Sequence, residues 1–318
     1  MKAGYKYRIY PTPKQQMALA KLFGCVRVVW NDALAFCINQ YKTGEKKLKN
    51  AELQKQFITQ AKRRLERSWL SEVSCVPLQQ SLNDLEQAYQ NFFKSCKGQR
   101  KGRPFKPPRF KRRHAKQSAR FTQRGFSLSN DCLKIAKIGK VKIPWSRSLP
   151  AKPTSATVIK DTAGKYFVSF VVEIVPEILP KIENSVGIDL GIASFATLDD
   201  GSKIDAPKPL KKRINRLRRL DKNLSRRNRG SKRYELARRR KAKLQAKLKD
   251  TRTDFLHKLS TQIIRENQTI VLEDLNVAAM MKNRKLSRAI SDLGWRQFRN
   301  YLEGKAQKYG RQLRVNQQ

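Results

Sequence analysis

The chain has 318 residues, and its 71 Lys and Arg against 25 Asp and Glu give a formal net charge of +46 at pH 7. A charge of this size indicates a polyanionic partner, either nucleic acid or an anionic membrane, because the compact chain otherwise repels itself. No long apolar run and no signal-peptide pattern are present, which argues against secretion and membrane spanning and favours the cytoplasm.

The composition still allows a packed core. Hydrophobic residues make up 39% of the chain, and its length predicts two or three domains. The five cysteines are scattered and none are spaced as C-x-x-C, so neither a disulfide framework nor a zinc site is expected.

The first half of the chain reads as strands split by helices. Residues 5–10 alternate like a strand, and residues 14 to about 93 have helical spacing of apolar side chains. Strand character returns over residues 121–175, so we expect both ends of this half to pair in one sheet. Between them, residues 94–124 hold thirteen Lys and Arg, no acid, and several Gly and Pro, which predicts a basic loop.

Three aromatic residues, Phe105, Phe110 and Phe121, are interleaved with those cations. Cations without acids indicate contacts with phosphates, and aromatic rings between them can stack on unpaired bases. For Phe110, packing in the core is the expected role.

A further unit begins near residue 185. Residues 186–190 and 194–198 read as strands, and residues 199–201 as a turn. Residues 208–252 carry 21 Lys and Arg with three acids and predict a basic helical hairpin. A separate amphipathic helix over 254–266 and a strand over 269–272 are expected to follow.

Asp189 and Glu273 are the candidate catalytic residues. Each lies in or directly after an apolar strand, where a buried carboxylate needs a cation or hydrogen-bond donors. A shared Mg²⁺ would satisfy both, and such a pair suits phosphodiester hydrolysis. The glycines beside Asp189 are expected to leave room for a phosphate. A turn or capping role for Asp189 is the simpler alternative, and an actin-like ATPase is another, although Ile192 stands where that class has Ser or Thr.

The order of several motifs resembles the TnpB family, transposon-encoded OrfB-type proteins usually labelled transposases and related to type V CRISPR effectors. The motifs cover almost the whole chain, and they are Tyr10-Pro11-Thr12, Val29-Trp30-Asn31, Trp69-Leu70, Leu78-Gln79, Asn91-Phe92-Phe93, Pro108-Arg109-Phe110, Gly187–Ile192, Asp254–Leu259, Val271–Leu275, Ser291–Trp295 and Tyr309-Gly310.

The resemblance implies an α+β multidomain fold and RNA-guided DNA cleavage. Residues 1–10 with 115–178 would form a split β-barrel wedge, and 11–114 a helical recognition lobe. Residues 185–318 would form an RNase H-like (RuvC) α/β domain. The implied partners are guide RNA and target DNA, with no membrane or small-molecule substrate, in a nucleoid-associated cytoplasmic protein. Asp189 and Glu273 match the first two catalytic acids and would bind Mg²⁺.

The sequence departs from the family pattern after Tyr309-Gly310. Family members continue into a zinc ribbon and a helix with a third catalytic Asp, whereas this sequence ends at Gln318. We therefore expect an incomplete RuvC domain, no zinc, and absent or weak cleavage. The turn position of Asp199 and Asp200, and of nearby Asp205, argues against a substitute ligand. The alternatives are a catalytically inactive RNA-guided DNA-binding protein, a decayed transposase remnant, or a generic RNA-binding protein.

Contacts with nucleic acid are assigned to the two basic segments, because Arg in particular matches phosphate oxygens with its planar fork. The candidates are Arg100, Lys101, Arg103, Arg109, Lys111, Arg112, Arg113, Arg226, Arg227, Arg229, Arg238, Arg239 and Arg240.

Overall fold

The computed structural model describes residues 1–100, 104–129 and 132–316. Contacts between Cα atoms divide the chain into two compact units, Lys2–Ile174 and Val175–Gln318. Each unit combines helices with β-sheet, so the α+β multidomain class predicted from the sequence is confirmed at that level.

The first unit contains two antiparallel sheets. The larger has the order β1-β7-β6-β2, and β1 pairs along its whole length with β7. The first and last strands of the unit are therefore neighbours, as expected for a strand module split by a helical insertion. The strands are β1 (Lys2–Ile9), β2 (Gln117–Thr122), β6 (Ser155–Lys160) and β7 (Tyr166–Glu173), with β3 (Phe126–Ser129), β4 (Cys132–Ile135) and β5 (Gly139–Lys142) in the smaller sheet.

The helices of the first unit lie between β1 and β2 in the chain. α1 begins with a capping box, in which Thr12 accepts from the Gln15 amide and Gln15 bonds back to the Thr12 amide. Helices and sheets share one hydrophobic core. The helices are α1 (Pro13–Lys42), α2 (Asn50–Gln54) and α3 (Cys75–Cys96), with π-helical and 3₁₀ turns over Lys55–Gln60, Ala61–Arg63 and Leu65–Glu72.

Among the described residues, α1 is one helix that is long and apolar enough to cross a membrane by length and composition. Half of its most apolar window is buried inside the protein. Its inward residues, including Leu19, Leu22 and Leu34, pack in the core of the first unit with Leu78 and Leu82 of α3. The apolar character of α1 is accounted for by this packing.

The second unit is built on a five-stranded sheet of order β10-β9-β8-β11-β12. β8, β11 and β12 are parallel, whereas β9 and β10 turn back as an antiparallel edge. Because β8, β11 and β12 run parallel, their carboxyl ends meet at one edge of the sheet. The strands are β8 (Ser185–Asp189), β9 (Ala196–Leu198), β10 (Lys203–Ile204), β11 (Thr269–Glu273) and β12 (Gln312–Asn316).

Helices of the second unit cover this sheet through a core that includes Leu256, Ile264, Trp295 and Phe298. The helices are α4 (Pro209–Ser225), α5 (Lys232–Glu266), α6 (Val277–Met280), α7 (Ser287–Leu293) and α8 (Trp295–Tyr309).

α5 differs from the sequence-based expectation. The second arm of the basic hairpin and the predicted helix over 254–266 are one helix of 35 residues. No Gly or Pro interrupts Lys232–Glu266, so nothing in the backbone chemistry ends the helix where its composition changes. The basic hairpin itself is present, formed by α4 and the first half of α5.

Candidate functional site

Asp189 and Glu273 are the last residues of the neighbouring parallel strands β8 and β11. Ile188 lies opposite Leu272, so one further step along the ladder brings Asp189 beside Glu273. Neighbouring strands are about 4.8 Å apart. Both acids follow a buried residue, and the pleat therefore directs them to the face opposite Ile188 and Leu272. The two predicted catalytic residues are brought to one place on the sheet.

The surroundings of the pair are open and polar. Asp189 is exposed and Glu273 is half-buried. Glu273 also lines a cleft of about 970 Å³, whose wall includes Asp274 and Arg299. Arg299 donates to Asp274 and, at 2.9 Å, to Glu303. Arg299 is therefore engaged by two acids outside the Asp189–Glu273 pair, while Arg296, which also lines the cleft, is exposed.

Asp199 lies opposite Gly187, which is two residues before Asp189 in β8. Asp199 is therefore on the same face of the sheet as Asp189. The Gly187 amide donates to Asp199 Oδ2 at 2.9 Å, and the Asp199 amide donates to the Gly187 carbonyl at 3.1 Å. A Cβ at Gly187 would lie 3.5 Å from Asp199 Cβ, and one at Gly191 would lie 3.0 Å from the Ser194 carbonyl oxygen. Protein atoms therefore lie beside both glycines, at an ordinary contact distance for Gly187 and at a closer one for Gly191. Room for a phosphate beside these glycines stays a prediction.

No third acid joins the pair in the part of the chain that the structure describes. Within those residues, no group of three or more His, Cys, Asp or Glu is close enough to hold a metal ion. Asp200 accepts from the Ser202 amide at 2.8 Å, and hydrogen bonding to the Ser202 side chain, together with this amide, lowers the pKa of Asp200. Asp205 is exposed. The site offers two carboxylates.

The basic residues of the second unit fall into two places on the α4–α5 hairpin. Arg226, Arg227 and Arg229 are exposed in the turn between the helices. Further along α5, Arg239 and Arg240 are exposed, while Arg238 is bound by Glu235 at 2.8 Å. Five of these six predicted arginines are therefore exposed, although Arg227 also donates to Asn223 Oδ1 at 3.4 Å, and Arg238 forms an ion pair within its own helix.

The basic segment of the first unit is anchored to α1 by two side chains. Trp30 Nε1 donates to the Arg109 carbonyl at 3.0 Å. Asn31 binds the backbone of Lys111 twice, accepting from its amide at 2.8 Å and donating to its carbonyl at 3.1 Å. Arg112 and Arg113 follow and are exposed, as is Arg109. Arg100 is exposed and stacks over Phe105 at 4.3 Å, whereas Lys101 and Arg103 lie outside the described residues.

The burial of the aromatic residues in this segment differs from the sequence-based expectation. Phe121 is completely buried, because the alternation of β2 directs it into the core. Phe110 is 52% exposed, although core packing was expected of it. It lies outside any strand, between the two backbone sites bound by Trp30 and Asn31, so no pleat directs its ring inward. Phe105 is 45% exposed.

One residue that sequence reasoning did not single out has a clear structural role. Asp292 is 5% exposed, and its carboxylate accepts from the Leu210 amide at 3.1 and 2.9 Å and from the Lys211 amide at 3.1 Å. It caps the N-terminus of α4, where the amides lack helical partners and the dipole favours an anion. The partners are more than 80 residues apart in sequence, so no local signal marks the contact.

Comparisons with known proteins agree on one family. A family model described as "Probable transposase" matches residues 169–284, and one described as "Helix-turn-helix domain" matches residues 1–46. In the structure, residues 1–46 contain β1 and the single helix α1, so they do not form two helices joined by a turn.

Two curated relatives share the name "Putative RNA-guided DNA endonuclease". The one from Streptomyces pristinaespiralis is 42% identical over 99% of this chain and 77% of its own length. InsQ from Escherichia coli strain K12 is 30% identical over 94% of this chain and 76% of its own. Among solved structures, a chain of the Cas12f1–sgRNA–target DNA complex aligns with 100% of this chain and 89% of its own, with 13% identity and a TM-score of 0.44.

Proposed function

The chain belongs to the TnpB family of OrfB-type transposases, and from that premise we propose that it is a transposon-associated, RNA-guided DNA endonuclease. Its partners are a guide RNA and the target DNA that pairs with it, in the cytoplasm on the nucleoid. The names of the relatives from Streptomyces pristinaespiralis and Escherichia coli support this proposal. So does the net charge of +46, since a guide and its target are the polyanions that such a surface suits.

We assign the parts of the chain accordingly. Residues 1–10 and 115–178 act as a split β-barrel wedge and 11–114 as a helical recognition lobe. Apart from Met1 and residues 175–178, both lie within the first compact unit. Residues 185–318 act as a RuvC-like nuclease domain. The five-stranded sheet supports this assignment, because its parallel strands β8 and β11 end in the two acids.

The observation that carries the cleavage proposal is the placement of Asp189 beside Glu273 at the carboxyl ends of parallel strands. Mg²⁺ prefers carboxylate oxygens and accepts a site with only one or two of them, so the donor set fits. When bound, the ion would supply Lewis-acid activation of a water and stabilisation of the leaving oxygen. The residues hold their carboxylates on one face of a rigid sheet, where two negative charges side by side favour a shared cation.

The phosphate contacts are proposed for the exposed arginines of both units. Arg226, Arg227, Arg229, Arg239 and Arg240 are suited to the backbone of one nucleic-acid strand by their exposure on the α4–α5 hairpin. For the first unit the corresponding residues are Arg109, Arg112 and Arg113, and Arg100 beside Phe105. Lys111 is also proposed to contact phosphate, but it is half-buried and its ammonium lies over the Trp30 ring.

Target cutting by guide-loaded protein tests the assignment. Asp189→Ala and Glu273→Ala should each abolish Mg²⁺-dependent cutting while RNA binding is retained, because the changes remove metal ligands but no basic residue. Glu266→Gln is the matched control, since Glu266 is an exposed acid at the end of α5 in the same unit. Equal cutting by the wild type and both Ala variants would reject Asp189 and Glu273 as catalytic residues.

A second candidate function is RNA-guided DNA binding without cleavage. It is favoured by the absence of a third acid near the pair within the described residues, because two-metal hydrolysis places more ligands around the ions. This candidate predicts that guide-loaded protein retains its target in a gel-shift assay while the DNA stays intact at every Mg²⁺ concentration. Specific cut ends mapped by sequencing would exclude it.

A further inference from the structure

The first unit has a pocket of about 680 Å³ that the proposed cleavage chemistry does not use. One wall is α1, which contributes Phe23, Val26 and Arg27, and the other is the basic segment over residues 108–118. Phe23 and Val26 are buried and form an apolar floor. A volume of this size is typical of a pocket for a small organic group.

The wall formed by the basic segment is fixed by the hydrogen bonds from Trp30 and Asn31 to the backbone of residues 109 and 111. Lys111 Nζ lies 3.8 Å from the centre of the Trp30 ring. The ring of Phe110 projects between these two anchored positions and is 52% exposed. An exposed aromatic ring held on a fixed backbone loses little conformational entropy when a flat group stacks on it.

The charge of the pocket is entirely positive. Its lining includes Arg27, Arg109, Arg112 and Lys116 and contains no Asp or Glu. Among the described residues, none of these four cations forms an ion pair with an acid. Burial also lowers the pKa of Lys111 to about 8, which the charge of Asp84 only partly offsets. The pocket therefore combines a ring, an apolar floor and cations that lack an anion.

We propose that this pocket binds one unpaired nucleotide of a single-stranded segment, with its base against Phe110 and its phosphates against Arg109, Arg112 and Lys116. A base inside a duplex has both faces covered by the neighbouring base pairs. An unpaired base can stack one face on an aromatic ring, whatever its identity. The inference rests on the proposed function only in that the chain must bind nucleic acid. It adds a site for an unpaired nucleotide that is separate from Asp189 and Glu273.

The test compares Phe110→Ala with Tyr41→Ala. Tyr41 is an exposed ring of α1 that lies outside the pocket lining and outside both basic segments, so it is a matched control. Fluorescence anisotropy at fixed salt would use a labelled single-stranded RNA, the single-stranded DNA of the same sequence, and the fully paired duplex. Phe110→Ala should weaken binding of a single strand by about 5- to 100-fold, the contribution of one stacked base.

Two further measurements separate a stacking role from a structural one. Phe110→Trp should restore the single-strand affinity, and the duplex affinity and the melting temperature should stay unchanged in all three variants, because an exposed ring contributes little to the core. The strand that loses affinity, RNA or DNA, identifies the source of the nucleotide. Photo-crosslinking of a thiouridine-labelled RNA to the peptide containing Phe110 would support the site directly.

The outcomes distinguish this inference from the proposed function. If the wild type binds single strands tightly and both Ala variants bind equally well, the pocket proposal is overturned and the proposed function stands. If Phe110→Ala weakens binding of the single strand and of the duplex alike, or if Tyr41→Ala weakens single-strand binding as much as Phe110→Ala does, the effect is not stacking in this pocket and the proposal also fails. A wild type without salt-sensitive binding would reject both.

Discussion

Asp189 and Asp292 are acids of the same unit with opposite surroundings. Asp189 is exposed at the end of a strand beside a second carboxylate. Asp292 is buried and surrounded by the free amides at the start of α4. Asp189 presents its carboxylate to solvent, where we propose that a cation binds, while Asp292 already has its partners and holds α4 in place. The difference lies in the donors that each backbone environment supplies.

Replacing Asp292 by Ala should lower the free energy of unfolding by about 1–3 kcal/mol, because buried amides at the start of α4 lose their acceptor. Asp292→Asn keeps one acceptor oxygen, so its free energy of unfolding should lie between those of Asp292→Ala and the wild type. Chemical denaturation followed by circular dichroism measures the effect. Asp205→Ala, an exposed acid of the same unit, serves as control and should change stability little. Equal stability of Asp292→Ala and the wild type would show that the capping contact contributes nothing.

Lys305 is a second residue whose surroundings decide its chemistry. Its ammonium donates to the His257 carbonyl at 2.7 Å, to Ser260 Oγ at 2.8 Å and to Thr261 Oγ1 at 2.6 Å. Burial, aided by the nearby charge of Arg265, lowers the pKa of Lys305 to about 8. These three neutral acceptors bind the amine but supply no negative charge that would keep it protonated.

The lowered pKa of Lys305 predicts a pH dependence of stability with a definite sign. Between about pH 8 and the ordinary lysine pKa near 10.5, the unfolded chain binds more protons, so the folded state gains stability as pH rises. Below about pH 8 the full cost of the buried charge is present. Lys305→Met should flatten this rise relative to the wild type in melting curves across the window. Lys243→Met, a change at an exposed lysine of α5, should leave the pH dependence of stability unchanged. If the stability of Lys305→Met rises with pH as steeply as that of the wild type, the prediction is wrong.

At the scale of elements, α7 and α8 are joined by one residue. Gly294 has φ +76° and serves both as the end of α7 and as the residue before α8. A Cβ there would lie 3.0 Å from Arg252 Cδ and 3.3 Å from Leu256 Cδ1 of α5. The chain can change direction in one residue, and α5 can approach this closely, because Gly has no side chain and tolerates the left-handed region.

Gly294→Ala should therefore destabilise the second unit by about 1–2 kcal/mol from the left-handed backbone alone, with the contacts to α5 adding to it. Gly304→Ala is the matched control, because Gly304 lies inside α8 with nothing within 4 Å of the added Cβ. That substitution should stabilise by about 0.5–1 kcal/mol through helix propensity. Thermal melting of both variants measures the effects, and shifts of the same sign would refute this account of the two glycines.

At the scale of the whole molecule, the positive charge is distributed over both compact units. Each compact unit presents its own basic surface, the α4–α5 hairpin in one and the segment anchored on α1 in the other. The acids that are present are used mainly in contacts with neighbouring residues, as in Glu235 with Arg238 and Asp221 with Lys241 at 2.5 Å. The exposed arginines that are not paired with these acids remain available to phosphates in both units.

Affinity for RNA should fall by about three decades or more between about 50 and 200 mM salt if about six or more phosphates are bound, because each releases condensed counterions. Replacing Arg226 and Arg227 together by Gln should reduce the slope of log K against log salt by about 2 if each contacts one phosphate. The control is the double change of Lys42 and Lys46 to Gln, two exposed cations outside the basic segments. A flat salt response of the wild type would contradict a phosphate-binding surface.

The sequence already indicated those features that depend on local pattern. Alternation and apolar runs predicted the strands that carry Asp189 and Glu273, and the family motifs predicted that these acids act together. The basic hairpin followed from apolar spacing within a run of cations. Local pattern failed at α5, where a change of composition at residue 252 suggested a boundary although no helix-breaking residue is present.

By itself the sequence determined that the chain is strongly basic, that it mixes helices with sheet, and that Asp189 and Glu273 lie at apolar strands, because charge, periodicity and motif order can be read along the chain. Only the tertiary structure decided that Phe110 faces a pocket while Phe121 is buried, and that Asp292 caps a helix more than 80 residues away. Those outcomes depend on which distant groups reach each side chain, and residues far apart in sequence meet only when the sheets and helices have packed.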